Sequence, residues 1–329
     1  MLLSIIIPSF NHEQFVINTL KAADRIQIDD KEIIVIDDGS SDSSVRVIRD
    51  FLASDDAKAK FTLITRENRG LVKTLNQGLT IASGKYVYIV ASDDIPIPAG
   101  ICSLVSLLES RETLQFALGN ALMMDSEYQS EFIPTYGEAH RRFFALPYNK
   151  RHKELFLRYP NPLLLQATVF RSSILKDIGG WREDIISDDL SLFLRLLSQL
   201  RNVGTDFVFQ PQILACFYRQ HVANISKNQE RQFKTVGQAL MHLCPVELRD
   251  SVSIRHYADI SITAVKNRHL LLAARLFYSR IDDLGLFRWL RAACPAFEAF
   301  FMIRISRALS HTALVEHEPA ISMISNSNR

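Results

Sequence analysis

Apolar residues fall in short consecutive runs over the first third of the chain and in helical stripes over the last. Leu2–Ile7, Ile33–Ile36 and Tyr86–Ala91 are nearly uninterrupted apolar runs, the pattern of strands covered on both faces in a parallel sheet flanked by helices. Strands near 2–8, 32–37, 61–65 and 85–91 alternate with helical stretches near 12–25, 42–53 and 71–82, which predicts βαβ units. A helix near 97–110, with Pro96 and Pro98 at its start, and a strand over 115–124 follow. From Asp125 to about Lys150 the pattern breaks into polar and aromatic residues with Pro134, Gly137 and Pro147, predicting a long loop that is either functional or disordered. Next come a strand over 163–170, a short helix over 172–178 ending at Gly179-Gly180, and an amphipathic helix over 188–200 with Leu192, Leu196 and Leu200 on one stripe. Two short strands near 206–210 and 213–218 close this part. The expected organisation is an α/β domain over 1–228, a helical region over 229–314 and a disordered tail over 315–329.

Two of the strands release carboxylate pairs. Ile33–Ile36 runs into Asp37-Asp38-Gly39-Ser40, and the run from Tyr86 ends in Ser92-Asp93-Asp94. Parallel sheets bind ligands at the carboxyl ends of their strands, and Gly39 lets the chain turn sharply there. Ser41 or Asp42 can cap the following helix. A single Asp-Asp pair is also what a helix cap or a solvated turn looks like. Two pairs converging on one crevice repel each other, and a divalent cation is their natural partner.

Composition narrows the field without choosing. At 329 residues, 47% hydrophobic and 22% charged, the chain is of ordinary globular make-up, and a net charge of +2 without a basic block argues against nucleic acid as a partner. Cys102, Cys216, Cys244 and Cys294 form no ligand or redox spacing and read as buried thiols in a reducing compartment. The chain runs directly into its first strand with no signal-peptide pattern, and no apolar run approaches the roughly 18 residues needed to span a bilayer. A cytoplasmic protein is expected.

The segments Ser4–Asn11, Ile36–Ser40, Asn68-Arg69-Gly70 through Asn76-Gln77-Gly78, Ala82–Tyr86 and Ser92-Asp93-Asp94 resemble family 2 glycosyltransferases. Gly179-Gly180-Trp181 and Asp188-Asp189 before Leu194-Arg195-Leu196 continue the resemblance in order, over roughly residues 1–225. It implies a GT-A fold, a nucleotide-sugar donor, a divalent cation (Mn²⁺ or Mg²⁺) and inversion at the anomeric carbon.

It also implies roles. Asp38 would accept from a uracil N–H, with Pro8 and Phe10 walling the base and ribose and Asp37 bracing the turn or touching the ligand. Asp94 would coordinate the metal and Asp93 face the ribose or a metal-bound water. Ala91 stands where many members carry a further Asp. Asp189 would be the general base, with Asp188, in place of the usual Glu, at the helix start and towards the acceptor. Lys73 reaches the diphosphate or stays in solvent. Asn76 fixes a loop. Trp181 floors the acceptor sugar or packs in the core. His221, in a segment with Tyr218, Arg219, Gln220, Asn224 and Ser226, touches metal or diphosphate or is structural.

The implied activity is transfer from a UDP-sugar to a saccharide or lipid-linked saccharide in surface glycan synthesis. Two alternatives stay open: a nucleotidyltransferase, which would carry a Gly-rich basic loop where this chain has Pro8-Ser9-Phe10-Asn11-His12, and an inactive sugar-binding assembly subunit. The arginine-rich helices after 229 suit an anionic membrane surface at its inner face, a second copy of the chain, or packing on the catalytic domain.

Overall fold

The computed structural model describes residues 1–125, 132–160, 162–221 and 229–266. The chain divides into two compact units, Met1–Arg249 and Asp250–Arg329. In the first, β1 (Leu3–Ser9), α1 (Val16–Asp24), β2 (Lys31–Asp37), α2 (Ser44–Leu52), β3 (Lys60–Thr65), α3 (Leu71–Ile81) and β4 (Tyr86–Ile89) form the expected βαβ half. Ile5, Ile6, Ile7 and Ile33 to Ile36 are all fully buried, because helices cover both faces of the strands they lie in. β1 pairs in parallel with β2 and β4, and β2 with β3. Ser9 is level with Asp37 in that register, so the residues leaving β1 and β2 emerge at one edge. Val90 donates to the Ile6 carbonyl and Ser92 to that of Pro8, which brings the 92–94 segment to the same edge.

The second half adds β5 (Ile95–Pro96), α4 (Pro98–Ser110), β6 (Phe116–Asp125), β7 (Ile133–Pro134), α5 (Glu138–Ala145), α6 (Tyr148–Leu157), β8 (Thr168–Arg171), α7 (Ser172–Asp177), α8 (Asp189–Gln199), β9 (Phe207–Gln220) and α9 (Gln229–Leu243). Among the described residues the sheet runs β3-β2-β1-β4-β8-β6-β9-β5, with β7 on β6. β8 is antiparallel to β4 and β6, while β9 is parallel to β6 and antiparallel to β5. The sheet is therefore mixed.

Three expectations change here. The strand expected over 163–170 begins only at Thr168, after a single 3-10 turn at Leu165–Ala167. The strands expected near 206–210 and 213–218 are one continuous β9, carried past Pro211 by a register shift against β6 at Asn120. The Asn120 amide there donates to the carbonyls of Pro211 and Tyr136. The loop expected to run to Lys150 contains α5 and the start of α6. Pro147 caps the second helix rather than breaking a coil, and the helices bury Phe143, Phe144, Leu155 and Phe156. Arg151 is also buried, donating to the carbonyls of Leu146 and Arg201. A buried Arg among polar neighbours hid the helical face from a hydrophobicity reading.

The first compact unit extends through α9 to Arg249. α10 (Arg249–Lys266) is helical as expected. The helical expectation for 267–314 and the tail at 315–329 lie outside the described residues, as do Cys294, Asn224 and Ser226. No described helix is long and apolar enough to cross a membrane.

Candidate active site

The end of β2 is a braced turn. Asp37 accepts from the Ser40 amide at 2.9 Å and the Ser40 and Ser9 hydroxyls at 2.6 and 3.2 Å. Its carboxylate is spent on the turn, one of the two roles expected of it. Gly39, at φ +79°, passes so close to Asn68 that a Cβ would lie 2.6 Å from that residue's backbone nitrogen. Asp38 accepts from the amides of Arg69 and Gly70 at 2.9 and 2.7 Å and pairs with the Arg66 guanidinium at 2.9 Å. Asp38 thus organises the loop leading into α3, and any base it binds must be wedged against that loop. Phe10 stands 45% exposed beside it. Pro8 is buried within β1, so the wall expected of the two falls to Phe10. Lys73 is exposed on α3.

Replacing Asp38 with Ala strands a buried cation and two amides. A stability loss of about 3–5 kcal/mol is expected in urea unfolding, with weaker UDP binding by calorimetry. Unchanged UDP affinity in the folded variant would make Asp38 a brace and nothing more.

The end of β4 differs from expectation. Asp94 is 1% exposed and turned inward, its oxygens accepting from the Arg219 amide at 2.8 Å and the Gln166 side chain at 2.9 Å. Burial first, then the adjacent Asp93 charge, push its carboxyl well above the usual range. Asp94 is therefore not placed as a metal ligand. Asp93 is the carboxylate that faces the two imidazoles. Its Oδ2 lies 3.0 Å from Nε2 of His221 and 3.8 Å from Nε2 of His12, and the three donor atoms lie within 4.8 Å of one another.

Octahedral ions with bonds of about 2.1 Å have ligand–ligand edges near 3.0 Å; the Asp93–His221 pair has that spacing, and His12 is close enough to complete a group that could hold a divalent ion. Burial depresses the His12 imidazole, with the Asp93 charge opposing and the His221 charge assisting, which favours the neutral, ligating form. Burial alone would raise Asp93. The His221 hydrogen bond and the charge of His12 offset this and leave it lowered.

Asp189 opens α8 with Asp188 as its N-cap. Burial, then the Asp188 charge, raise the Asp189 carboxyl well above the usual range. The nearby Leu165 backbone amide opposes this, and the Asp94 charge adds to the rise. Such a carboxyl takes up a proton readily. Tyr136 and Tyr159 feel the Asp189 charge, which places both phenols near it. One short segment aligns this region: the Leu164 amide donates to the Tyr136 hydroxyl at 2.7 Å and the Gln166 side chain to Asp94 at 2.9 Å.

Trp181 is 1% exposed and offers no face to a sugar, which corrects its expected place under the acceptor and leaves core packing. Its backbone is clamped by Asn76, which accepts from the Trp181 amide and donates to its carbonyl at 2.8 Å each. Gly180 turns at φ +64° to make that clamp possible. The loop-fixing role expected of Asn76 is what the structure has.

Sequence reasoning did not single out His12 or Gln166. His12 follows the first strand end directly, the edge where the carboxylates were already expected. Gln166 is a polar residue interrupting the apolar run Leu163–Phe170, which is the available signal of a buried hydrogen-bonding role.

A mixed sheet with a braced turn after β2, a carboxylate–imidazole cluster after β4 and an acid at the start of α8 defines the GT-A class of glycosyltransferase fold. The chain belongs to glycosyl transferase family 2, whose pattern matches residues 4–169. It is 28% identical over 195 residues to the poly-beta-1,6-N-acetyl-D-glucosamine synthase of Staphylococcus epidermidis, covering 59% of this chain and 45% of that one. It is 25% identical over 202 residues to the GalNAc(5)-diNAcBac-PP-undecaprenol beta-1,3-glucosyltransferase of Campylobacter jejuni, covering 60% of each. The chain thus spans about half the length of the curated relatives it matches. Among solved structures, S. aureus TarS 1-349 in complex with UDP-GlcNAc aligns at TM-score 0.56 and 14% identity, over 91% of this chain and 92% of that one. The Pyrobaculum calidifontis mannosyltransferase PcManGT, in complex with GDP-Man and Mn²⁺, aligns at 0.55 and 16%, over 91% and 80%. At these identities the likeness is one of fold.

Proposed function

We propose that the protein is an inverting glycosyltransferase that moves one sugar from a UDP-sugar to a saccharide or lipid-linked saccharide. The observation that carries this reading is the meeting at one sheet edge of the turn at Asp38 and the His12–Asp93–His221 cluster, with the elevated carboxyl of Asp189 near enough to Asp94 for the two charges to act on each other. Phe10 packs against the nucleoside and Asp38 accepts its imide proton. Asp93 and His221 would hold a divalent cation, which would supply positive charge to the diphosphate as that group gains negative charge. Asp189 removes the proton of the acceptor hydroxyl. The freed oxygen electron pair forms the new bond at the anomeric carbon from the face opposite the diphosphate, whose oxygen leaves with the electrons of the old bond. One displacement inverts the centre.

UDP is favoured over GDP by the hexosamine named for the Staphylococcus relative and by the UDP-GlcNAc complex of TarS. An acceptor in surface glycan assembly is favoured by the undecaprenol-linked substrate named for the Campylobacter relative. Such an acceptor puts the reaction at the cytoplasmic membrane face.

The test is a panel of UDP- and GDP-sugars with Mn²⁺, reading nucleotide release and the anomeric configuration of the product by NMR. One UDP-sugar should be consumed with inversion, and EDTA should stop it. Binding without turnover of any donor, with any acceptor, would identify a sugar-binding subunit instead. Full turnover in EDTA would remove the cation from the reaction.

A further inference from the structure

We infer that His12 is a third protein ligand to the cation, so that the protein binds a transition ion, Mn²⁺ included, before any nucleotide arrives and discriminates against Mg²⁺, which accepts nitrogen ligands less readily. The inference rests on the cation reading above and adds to it a ligand, an order of binding and an ion preference.

The geometry of His12 is that of a positioned ligand. Its Nδ1 lies 2.8 Å from Oγ of Ser92, a fully buried residue. Its backbone amide donates to the Ser44 hydroxyl at 2.9 Å. A ring fixed through Nδ1 presents Nε2 as the ligating atom, the arrangement in which the second nitrogen of a metal-bound His is held by a partner. Phe15 lies edge-on to His12 at 6.0 Å and tilted against His221 at 5.0 Å. The Arg219 guanidinium sits over Phe15 at 4.8 Å. Both imidazoles are therefore backed by a ring that is itself packed.

The bland alternative is a His–Asp hydrogen bond. His221 satisfies that description at 3.0 Å, but His12 Nε2 is 3.8 Å from the same oxygen, beyond hydrogen-bonding distance. The His12 nitrogen faces Asp93 without bonding it, and that gap is the space an ion spans between two ligands.

Three protein donors make a site that does not need phosphate oxygens to complete its grip. Two are imidazole nitrogens, which suit transition ions. Mg²⁺ takes oxygen ligands and gives up its waters reluctantly.

The experiment titrates nucleotide-free protein with Mn²⁺ alone, reading free ion by EPR and then challenging with excess Mg²⁺. Wild type should bind one Mn²⁺ that Mg²⁺ displaces poorly, with ¹⁴N couplings from two imidazoles in the pulsed spectrum. His12→Ala and His12→Gln, checked for folding by circular dichroism, should lose about tenfold or more in affinity and show one nitrogen. Uptake only after UDP is added, or two nitrogens in the His12 variants, overturns the inference. Asp93→Ala separates the levels. If it abolishes binding while the His12 variants bind normally, only the third ligand is wrong. If it too binds normally, the cation reading itself fails.

Discussion

Replacing Asp189 with Asn is expected to cut turnover by at least about 10²-fold while leaving UDP affinity close to wild type. The amide keeps the size of the side chain and its place at the start of α8, but it cannot take the acceptor proton. The same substitution should make the protein more stable. Burial and the Asp188 charge raise the Asp189 carboxyl, so the folded state binds its proton more tightly than the unfolded chain does. Stability from this group is present below the unfolded value and is lost as pH climbs through the raised one. Asn has no proton to lose, so the margin of the variant over wild type should widen with pH across that interval. Turnover of the wild type should rise across the same interval as the base is freed. Thermal melts and steady-state rates between pH 4 and 9 check both on the order of one unit at a time. A variant that is inactive, less stable and unable to bind UDP would mean that Asp189 holds the fold rather than the proton.

Asp93→Ala is expected to abolish Mn²⁺ binding and lower turnover on the order of 10²-fold or more, since charge stabilisation by a metal supplies several kcal/mol. Asp94→Asn should leave Mn²⁺ affinity near wild type. Its carboxylate faces Gln166 and the Arg219 amide rather than the His12–His221 cluster, and an amide of the same shape can still accept the Arg219 bond. Mn²⁺ titrations of the two variants, side by side, decide it. If Asp94→Asn loses the ion and Asp93→Ala keeps it, the inward turn of Asp94 is not the ligating state.

The parallel half of the sheet was legible because each strand is an uninterrupted apolar run and each helix between them keeps its stripe. Both carboxylate pairs fell where strand ends were expected for the same reason. Which carboxylate of a pair faces the ligand was not legible: Asp93 and Asp94 are chemically identical neighbours, and their sorting depends on Gln166 and Arg219, distant in sequence. The role of Trp181 was hidden likewise, because an aromatic beside a glycine pair suits a sugar platform and a buried anchor equally. α5 was missed because its short apolar faces are broken by charge. Continuity of β9 was missed because Pro211 reads as a stop, and only the side chain of Asn120 carries the sheet past it.

The turn at Leu164–Gln166 works as a jig. Leu164 and Gln166 hold Tyr136 and the inward acid at Asp94, so the phenol near Asp189 and the acid after β4 are gauged against one short piece of backbone rather than against each other. Segments on either side can then be exchanged, by recombination or by a designer grafting a new acceptor preference, without the donor end losing its alignment. The same economy makes the turn itself unforgiving: a residue inserted there would shift both partners at once.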